Sequence, residues 1–263
     1  MLQREVTGNV LLVGGSNSGV AEECLKYPLK RLDCAELNPL IPGFGKRLHR
    51  LPDDPRFRLY TGDARVLLQN SLREKSRLSS GGEPLLKELD SLSYDAVILN
   101  VPEPSTLQIN RFYTYEFFGK CKNLLTENGI VSLSLNSTAD YVGDNALKIQ
   151  STVYQTLKAL FRNVLVIPGE KNFFLASDGT LTASVASLGA KRGIETEYVN
   201  EFYLDDISLK ERSDAIMKRI SVAAPLNFDF EPVGCFRQLH YWLSYQWNFS
   251  FYILVMPLLL LLV

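Results

Sequence analysis

The chain has 263 residues, 46% of them apolar, with 28 basic against 29 acidic side chains and a net charge of −1. That is enough apolar content for one domain with a full core, or a domain with an appendage. The balanced charge, with no basic stripe and no acidic tail, argues against a nucleic-acid partner and against a disordered chain. Cys24, Cys34, Cys121 and Cys235 are scattered without C-x-x-C spacing, which fits reduced thiols in a cytoplasmic setting. The two histidines, His49 and His240, stand far apart without ligand partners, so no metal site is expected.

Strands and helices alternate along the first two thirds. Asn9–Val13 reads as an apolar strand, followed by a glycine loop and a helix over about Val20–Tyr27. Arg31–Ala35 and Arg56–Tyr60 are the next strands, the latter ending at Thr61-Gly62-Asp63-Ala64 with a helix to about Leu72. Residues 73–84 are polar around Ser79-Ser80-Gly81-Gly82 and read as a surface insertion. Tyr94–Leu99 is a fourth strand, Thr114–Leu125 a helix, Gly129–Leu135 a fifth strand and Ala146–Phe161 a helix. Val164–Ile167 and Phe173–Ala176 close the series as a hairpin around Pro168-Gly169. The alternation predicts an α/β fold with a mostly parallel, doubly wound sheet and an antiparallel final hairpin. The pattern weakens after Ser177, with a helix expected over Leu209–Ile220.

The C-terminal end is apolar. Phe249–Val263 carries no charge, and Tyr241, Trp242, Tyr245 and Trp247 precede it like an interfacial belt. Although the run is shorter than the roughly 20 residues of a full span, a polyleucine end has no polar face for a soluble surface. The sequence therefore reads as a piece of a larger membrane protein, membrane-associated, with its nucleotide fold facing the cytoplasm. No secretory leader pattern opens it. The expected units are residues 1–180, a mainly helical extension 181–240 and a truncated transmembrane segment 241–263.

Gly14-Gly15-Ser16-Asn17-Ser18-Gly19 joins the first strand to its helix, where glycines let the backbone turn and approach a ligand. Glu36 follows the second strand, the position of a carboxylate that accepts from ribose hydroxyls. The G-x-G-x-x-G spacing of dinucleotide folds is absent, so a nucleoside thioether or sulfonium is the better match. At the end of the fourth strand, Leu99-Asn100-Val101-Pro102-Glu103-Pro104 leads into Asn110-Arg111-Phe112-Tyr113-Thr114. Prolines end the strand there, leaving Asn100 and Glu103 at the sheet edge where ligands bind in open α/β folds.

This segment resembles the catalytic loop of the polyamine aminopropyltransferases, the spermidine synthases, and most closely a branch carried inside membrane proteins. Pro168-Gly169, Asn172–Asp178, Arg192–Asn200 and Leu226–Pro232 extend the resemblance along the chain. It implies the Rossmann-like fold of class I S-adenosylmethionine-dependent methyltransferases, without the small β-domain that precedes it in soluble spermidine synthases. It also implies S-adenosylmethionine or its decarboxylated form as donor, a small-molecule amine such as a polyamine as acceptor, and no metal. A homodimer is left open. By resemblance, Gly14, Gly15, Asn17, Gly19, Glu36, Asp63 and Ala64 would hold the nucleoside, with Asp63 reading the adenine amino group. The family places one acid in the glycine loop and two after strand four, and the matching positions here are Asn17, Asn100 and Glu103. Two of three carboxylates are thus amides, which accept a hydrogen bond but cannot take a proton at neutral pH. Glu103 is then the expected base, with Asn100 orienting the amine and Tyr113, Asp140 and Tyr141 as further amine contacts. Arg111 is expected to brace the loop, and Gln3 or Asp33 could add nucleoside contacts. Three readings stay open: a transferase using Glu103, a nucleoside-binding sensor or scaffold without transfer, and a methyltransferase.

Overall fold

The computed structural model describes residues 1–4, 8–79, 93–136 and 144–246. Seven strands form one sheet in the order β3-β2-β1-β4-β5-β7-β6. They are β1 (Asn9–Val13), β2 (Arg31–Glu36), β3 (Phe57–Thr61), β4 (Tyr94–Leu99), β5 (Leu125–Asn136), β6 (Asn163–Ile167) and β7 (Lys171–Ser177). β1 to β5 pair in parallel, while β7 runs antiparallel to both β5 and β6. The fold is the expected Rossmann-like α/β arrangement. The strand order reverses between β1 and β4, which opens a crevice at their carboxyl ends.

Alternation along β1 builds both core layers. Val10 and Leu12 face a layer with Ala21 and Cys24 of helix α1 (Val20–Leu25), whereas Leu11 and Val13 face the larger layer on the other side. That larger layer is filled from α3 (Ala64–Ser79), α5 (Tyr115–Leu124) and α6 (Asp144–Lys158), with Leu68, Phe117, Phe118 and Val153 fully buried. In chain order α2 (Leu40–Arg47) precedes β3, and the one-turn α4 (Leu107–Asn110) precedes α5. The extension adds α7 (Val185–Arg192), α8 (Asp206–Arg219) and α9 (Val233–Gln246).

Several boundaries differ from the sequence reading. Residues 73–79 continue α3 instead of opening an insertion, because Glu74 is buried and paired with Arg77. β5 begins at Leu125, four residues early, where the chain already pairs with Tyr94. Helix α2 is invisible to propensity, since it holds Pro42, Gly43 and Gly45. Pro42 falls in the first turn, where its missing N–H costs nothing. The aromatic residues Tyr241 and Trp242 lie within α9, and Tyr241 packs on the core. Residues 247–263, which carry the expected membrane run, lie outside the described residues, as do Asp140 and Tyr141. Among the described residues no helix is long and apolar enough to cross a membrane, no group of three or more metal ligands occurs, and the four cysteines are unpaired.

Candidate functional site

A cavity of about 630 Å³ sits at the reversal point of the sheet. Gly14, Gly15, Asn17, Glu36, Ala64 and Asn100 line it together, although they come from four separate strand ends. The sheet ladder continues into its rim: Gly14 N donates to Ala35 O at 2.8 Å and Asn100 N to Val13 O at 2.9 Å. Gly15 has φ 69°, and a Cβ there would lie 2.0 Å from Asn100 Nδ2. Glycine is therefore required twice, for the left-handed turn and for the close passage of the Asn100 amide.

Glu36 is buried at 5% exposure at the end of β2. One carboxylate oxygen accepts from Ser16 N at 3.4 Å and Ser16 Oγ at 3.2 Å; the other accepts from Asn38 N at 3.3 Å. All three bonds are long, so the carboxylate keeps acceptor capacity for hydroxyl donors in the cavity.

The two amides at positions 17 and 100 are both engaged. Asn17 Nδ2 donates to Ile41 O at 2.8 Å, and its side chain lies so close to Gly45 that a Cβ there would meet it at 2.2 Å. Asn17 thus ties the glycine loop to α2. Asn100 Nδ2 donates to Ser18 Oγ at 2.7 Å, and that hydroxyl donates in turn to Gly15 O at 2.7 Å. Because the Ser18 proton is already used, the partner at position 100 must be a donor, which an amide is and a carboxylate is not.

Glu103 does not line the cavity. Its Oε1 accepts from Asn136 N at 2.7 Å at the end of β5, and its Oε2 accepts from Gln238 Nε2 of α9 at 2.8 Å. Tyr113, expected to contact the amine, is fully buried instead, and its hydroxyl donates to Pro102 O at 2.9 Å. Burial and then the nearby Glu103 charge push its phenol far up, so it stays neutral and braces the loop.

Two other expectations also meet different partners. Asp63 stands between the cavity-lining Gly62 and Ala64 but is itself ion-paired with Arg111 Nη2. Arg111 braces the loop through this acid, and its guanidinium lies 5.2 Å from the Phe112 ring centroid. The cavity wall here is apolar, made by Val101, Pro102, Ile109 and Phe112. Gly19 caps α1 away from the cavity. Gln3 bonds Thr182, and Asp33 lies buried mid-sheet against Tyr94 and Arg31, so neither contacts the cleft.

The loop from Thr106 to Glu116 is held from far along the chain. Arg65 makes a two-pronged contact to Asp229 at 2.8 and 2.5 Å and also donates to Arg111 O at 2.7 Å. Burial raises the Asp229 carboxyl, but the Arg65 and Thr114 hydrogen bonds outweigh it and hold it below the ordinary range. Asn227 is fully buried and donates to Asn110 Oδ1 at 3.1 Å and Tyr113 O at 3.0 Å, while accepting from Gly234 N at 2.9 Å. The sequence reading missed the roles of Ser16, Ser18, Asn227 and Gln238. The serines were visible inside the glycine loop; the other two sit more than a hundred residues from Asn110, Tyr113 and Glu103, the loop residues they hold, and leave no local signal.

Comparison with known proteins follows the same lines. The spermine/spermidine synthase domain matches residues 1–169 of the chain. The chain belongs to the spermine/spermidine synthase family. A polyamine aminopropyltransferase of Prochlorococcus marinus (strain MIT 9312) is 28% identical over 155 residues, covering 59% of this chain and 48% of that enzyme. The chain therefore matches about half the length of that relative. A spermidine synthase solved with the transition-state analogue AdoDATO superposes with a TM-score of 0.61 at 18% identity, over 83% of this chain and 71% of that one. Human methyltransferase-like protein 13 in complex with SAH gives a TM-score of 0.51 at 17% identity, over 83% and 87%. These neighbours share the fold. The matched residues of this spermidine synthase-like domain hold the whole cavity and Glu103, whereas Asn227, Asp229 and Gln238 lie beyond them.

Proposed function

We propose that this domain binds decarboxylated S-adenosylmethionine in the β1–β4 cleft and transfers its aminopropyl group to an amine. The supporting observation is the cavity itself: among its described lining residues Glu36 is the sole charged side chain. A carboxylate there suits ribose hydroxyls, and with no cation among the described lining residues the cavity favours a donor without a carboxylate of its own. In the reaction the amine nitrogen attacks the carbon beside the sulfonium. The C–S electron pair passes to sulfur, a neutral thioether leaves, and the proton on nitrogen passes to a carboxylate. Glu103 is the acid after β4 that can take it, since Asn100 cannot.

The nucleoside step is tested by calorimetry with 5′-methylthioadenosine. Tight binding is expected, and Glu36→Ala should weaken it about 100-fold, the loss of two hydrogen bonds to a charged acceptor. Equal binding by wild type and variant removes this reading. The engaged Asn100 amide favours one alternative, a nucleoside-binding module without transfer. Tight thioether binding with no turnover across an amine series selects that alternative.

Membrane attachment through the C-terminal run belongs to the same reading. It is supported by the uncharged stretch Phe249–Val263 and by Phe236, Leu239, Trp242 and Leu243, all exposed on α9. The full chain is expected to float with phosphatidylcholine vesicles in a density gradient; a protein that stays at the bottom is not a membrane-bound one.

A further inference from the structure

A second cavity, of about 620 Å³, opens at the edge of the sheet opposite the nucleoside cleft. Because β7 runs antiparallel to β5, with Ser177 paired to Ile130, the chain leaves β7 at the amino ends of the parallel strands. Thr180, Leu181 and Thr182 follow directly and form one wall. Gln3 fastens the N-terminal segment to them, donating to Thr182 O at 2.7 Å and accepting from Thr182 N at 2.9 Å. Leu188, Lys191 and Arg192 of α7 complete the lining.

The charge in this cavity is one-sided. Its described lining holds two cations, Lys191 and Arg192, and no carboxylate. Neither cation takes part in the ion pairs of the described residues. Nor does the end of α7 consume them. Gly193 turns the chain at φ 62°, its N–H donates to Ala190 O at 3.1 Å, and Ile194 N donates to Gly189 O at 3.3 Å. Those backbone bonds close the helix by themselves. Arg192 Nε is buried and has no hydrogen-bond partner. A shielded donor on a charged group opposes folding until an acceptor meets it.

A guanidinium offers Nε–H and Nη–H as a fork that fits two oxygens of one anion. Lys191 brings a second positive charge to the same space. A phosphate monoester carries about −1.5 to −2 at neutral pH, which matches two cations, whereas a carboxylate carries a single charge. The volume is that of a small-molecule pocket rather than of an ion site, and Leu181 and Leu188 give it an apolar wall. None of the described lining residues is among the exposed large apolar side chains that a lipid surface would take up.

We propose that this cavity is a second ligand site, which takes a soluble phosphate monoester. Arg192 holds two phosphate oxygens, Lys191 balances the second charge, the Thr180 hydroxyl donates to the third oxygen, and Leu181 and Leu188 carry the organic part. The site shares no described lining residue with the cleft, so it stands apart from the transfer reading.

The experiment is calorimetric titration of phenyl phosphate, and separately of benzoate, into the full chain for wild type, Arg192→Gln and Lys191→Gln. Wild type is expected to bind phenyl phosphate about 10-fold more tightly than benzoate, the worth of one further hydrogen bond between charged groups. Arg192→Gln should weaken phenyl phosphate at least about 10-fold on the same ground, and Lys191→Gln about 3-fold, as an exposed charge does. Thermal midpoint and 5′-methylthioadenosine affinity should stay as in wild type. A wild type that gives no heat with millimolar phenyl phosphate overturns the proposal, as does undiminished binding by folded Arg192→Gln. Benzoate bound as tightly as the ester overturns the phosphate class. Arg192-dependent binding to phosphatidylcholine vesicles containing phosphatidic acid, without binding of phenyl phosphate, would give the phosphate to a lipid headgroup and overturn the soluble ligand. If Arg192→Gln does not fold, the exposed Lys191→Gln decides.

Discussion

Replacing Glu103 with glutamine is expected to lower aminopropyl-transfer turnover by about 100- to 10,000-fold, the range for removing an acid–base group. The substitution is isosteric, and the site can absorb it. The new side-chain oxygen still accepts from Asn136 N, and its NH₂ faces Gln238, whose amide can turn to present the unpaired Oε1. Packing and the nucleoside cavity, which Glu103 does not line, stay as they are. The loss is therefore chemical, and unchanged 5′-methylthioadenosine affinity is the control that says so. Turnover retained in Glu103→Gln would place the proton acceptor elsewhere. The size of the effect follows from what stands at position 100: with an amide already there and bonded to Ser18, the segment Asn100–Pro104 holds no second carboxylate to take over.

The second large effect is on stability. Asn227→Leu is expected to destabilise the domain by about 3 kcal/mol or more, because it strands three buried groups at about 1–3 kcal/mol each. Those groups are Asn110 Oδ1, Tyr113 O and Gly234 N, and Asn227 is their shared partner at full burial. Urea unfolding monitored by tryptophan fluorescence and by circular dichroism reads the change as a lower midpoint. A wild-type midpoint would mean that the segment around Asn227 is not fastened to the loop that carries Tyr113. A companion loss of nucleoside affinity is expected, since Ile109 and Phe112 wall the cavity from that same loop.

Much of the fold was legible because strand burial leaves a strong local mark. β1 and β4 are buried nearly throughout and read as apolar runs, and the glycine loop and Glu36 fall at the ends of β1 and β2. Helix α2 was not legible, since its interior Pro42, Gly43 and Gly45 contradict helix propensity. Gly45 is explained only by the Asn17 side chain packed on it. Of the expected site residues, Gly14, Gly15, Asn17, Glu36, Ala64 and Asn100 came together in one cavity. Asp63 and Tyr113 did not join them, because Arg111 and the carbonyls of the proline loop claim their polar atoms.

By itself the sequence determined the strand alternation, the family-type loops and the amides that stand at positions 17 and 100. These are properties of short segments, set by periodicity, turn chemistry and side-chain identity. Only the tertiary structure decided what each of those groups bonds to: that Asn100 serves Ser18, that Asp63 serves Arg111, and that Glu103 is held by a helix 135 residues away. The physical reason is that a hydrogen bond joins whichever donor and acceptor folding brings within reach, and sequence separation leaves no trace of that meeting in either segment alone.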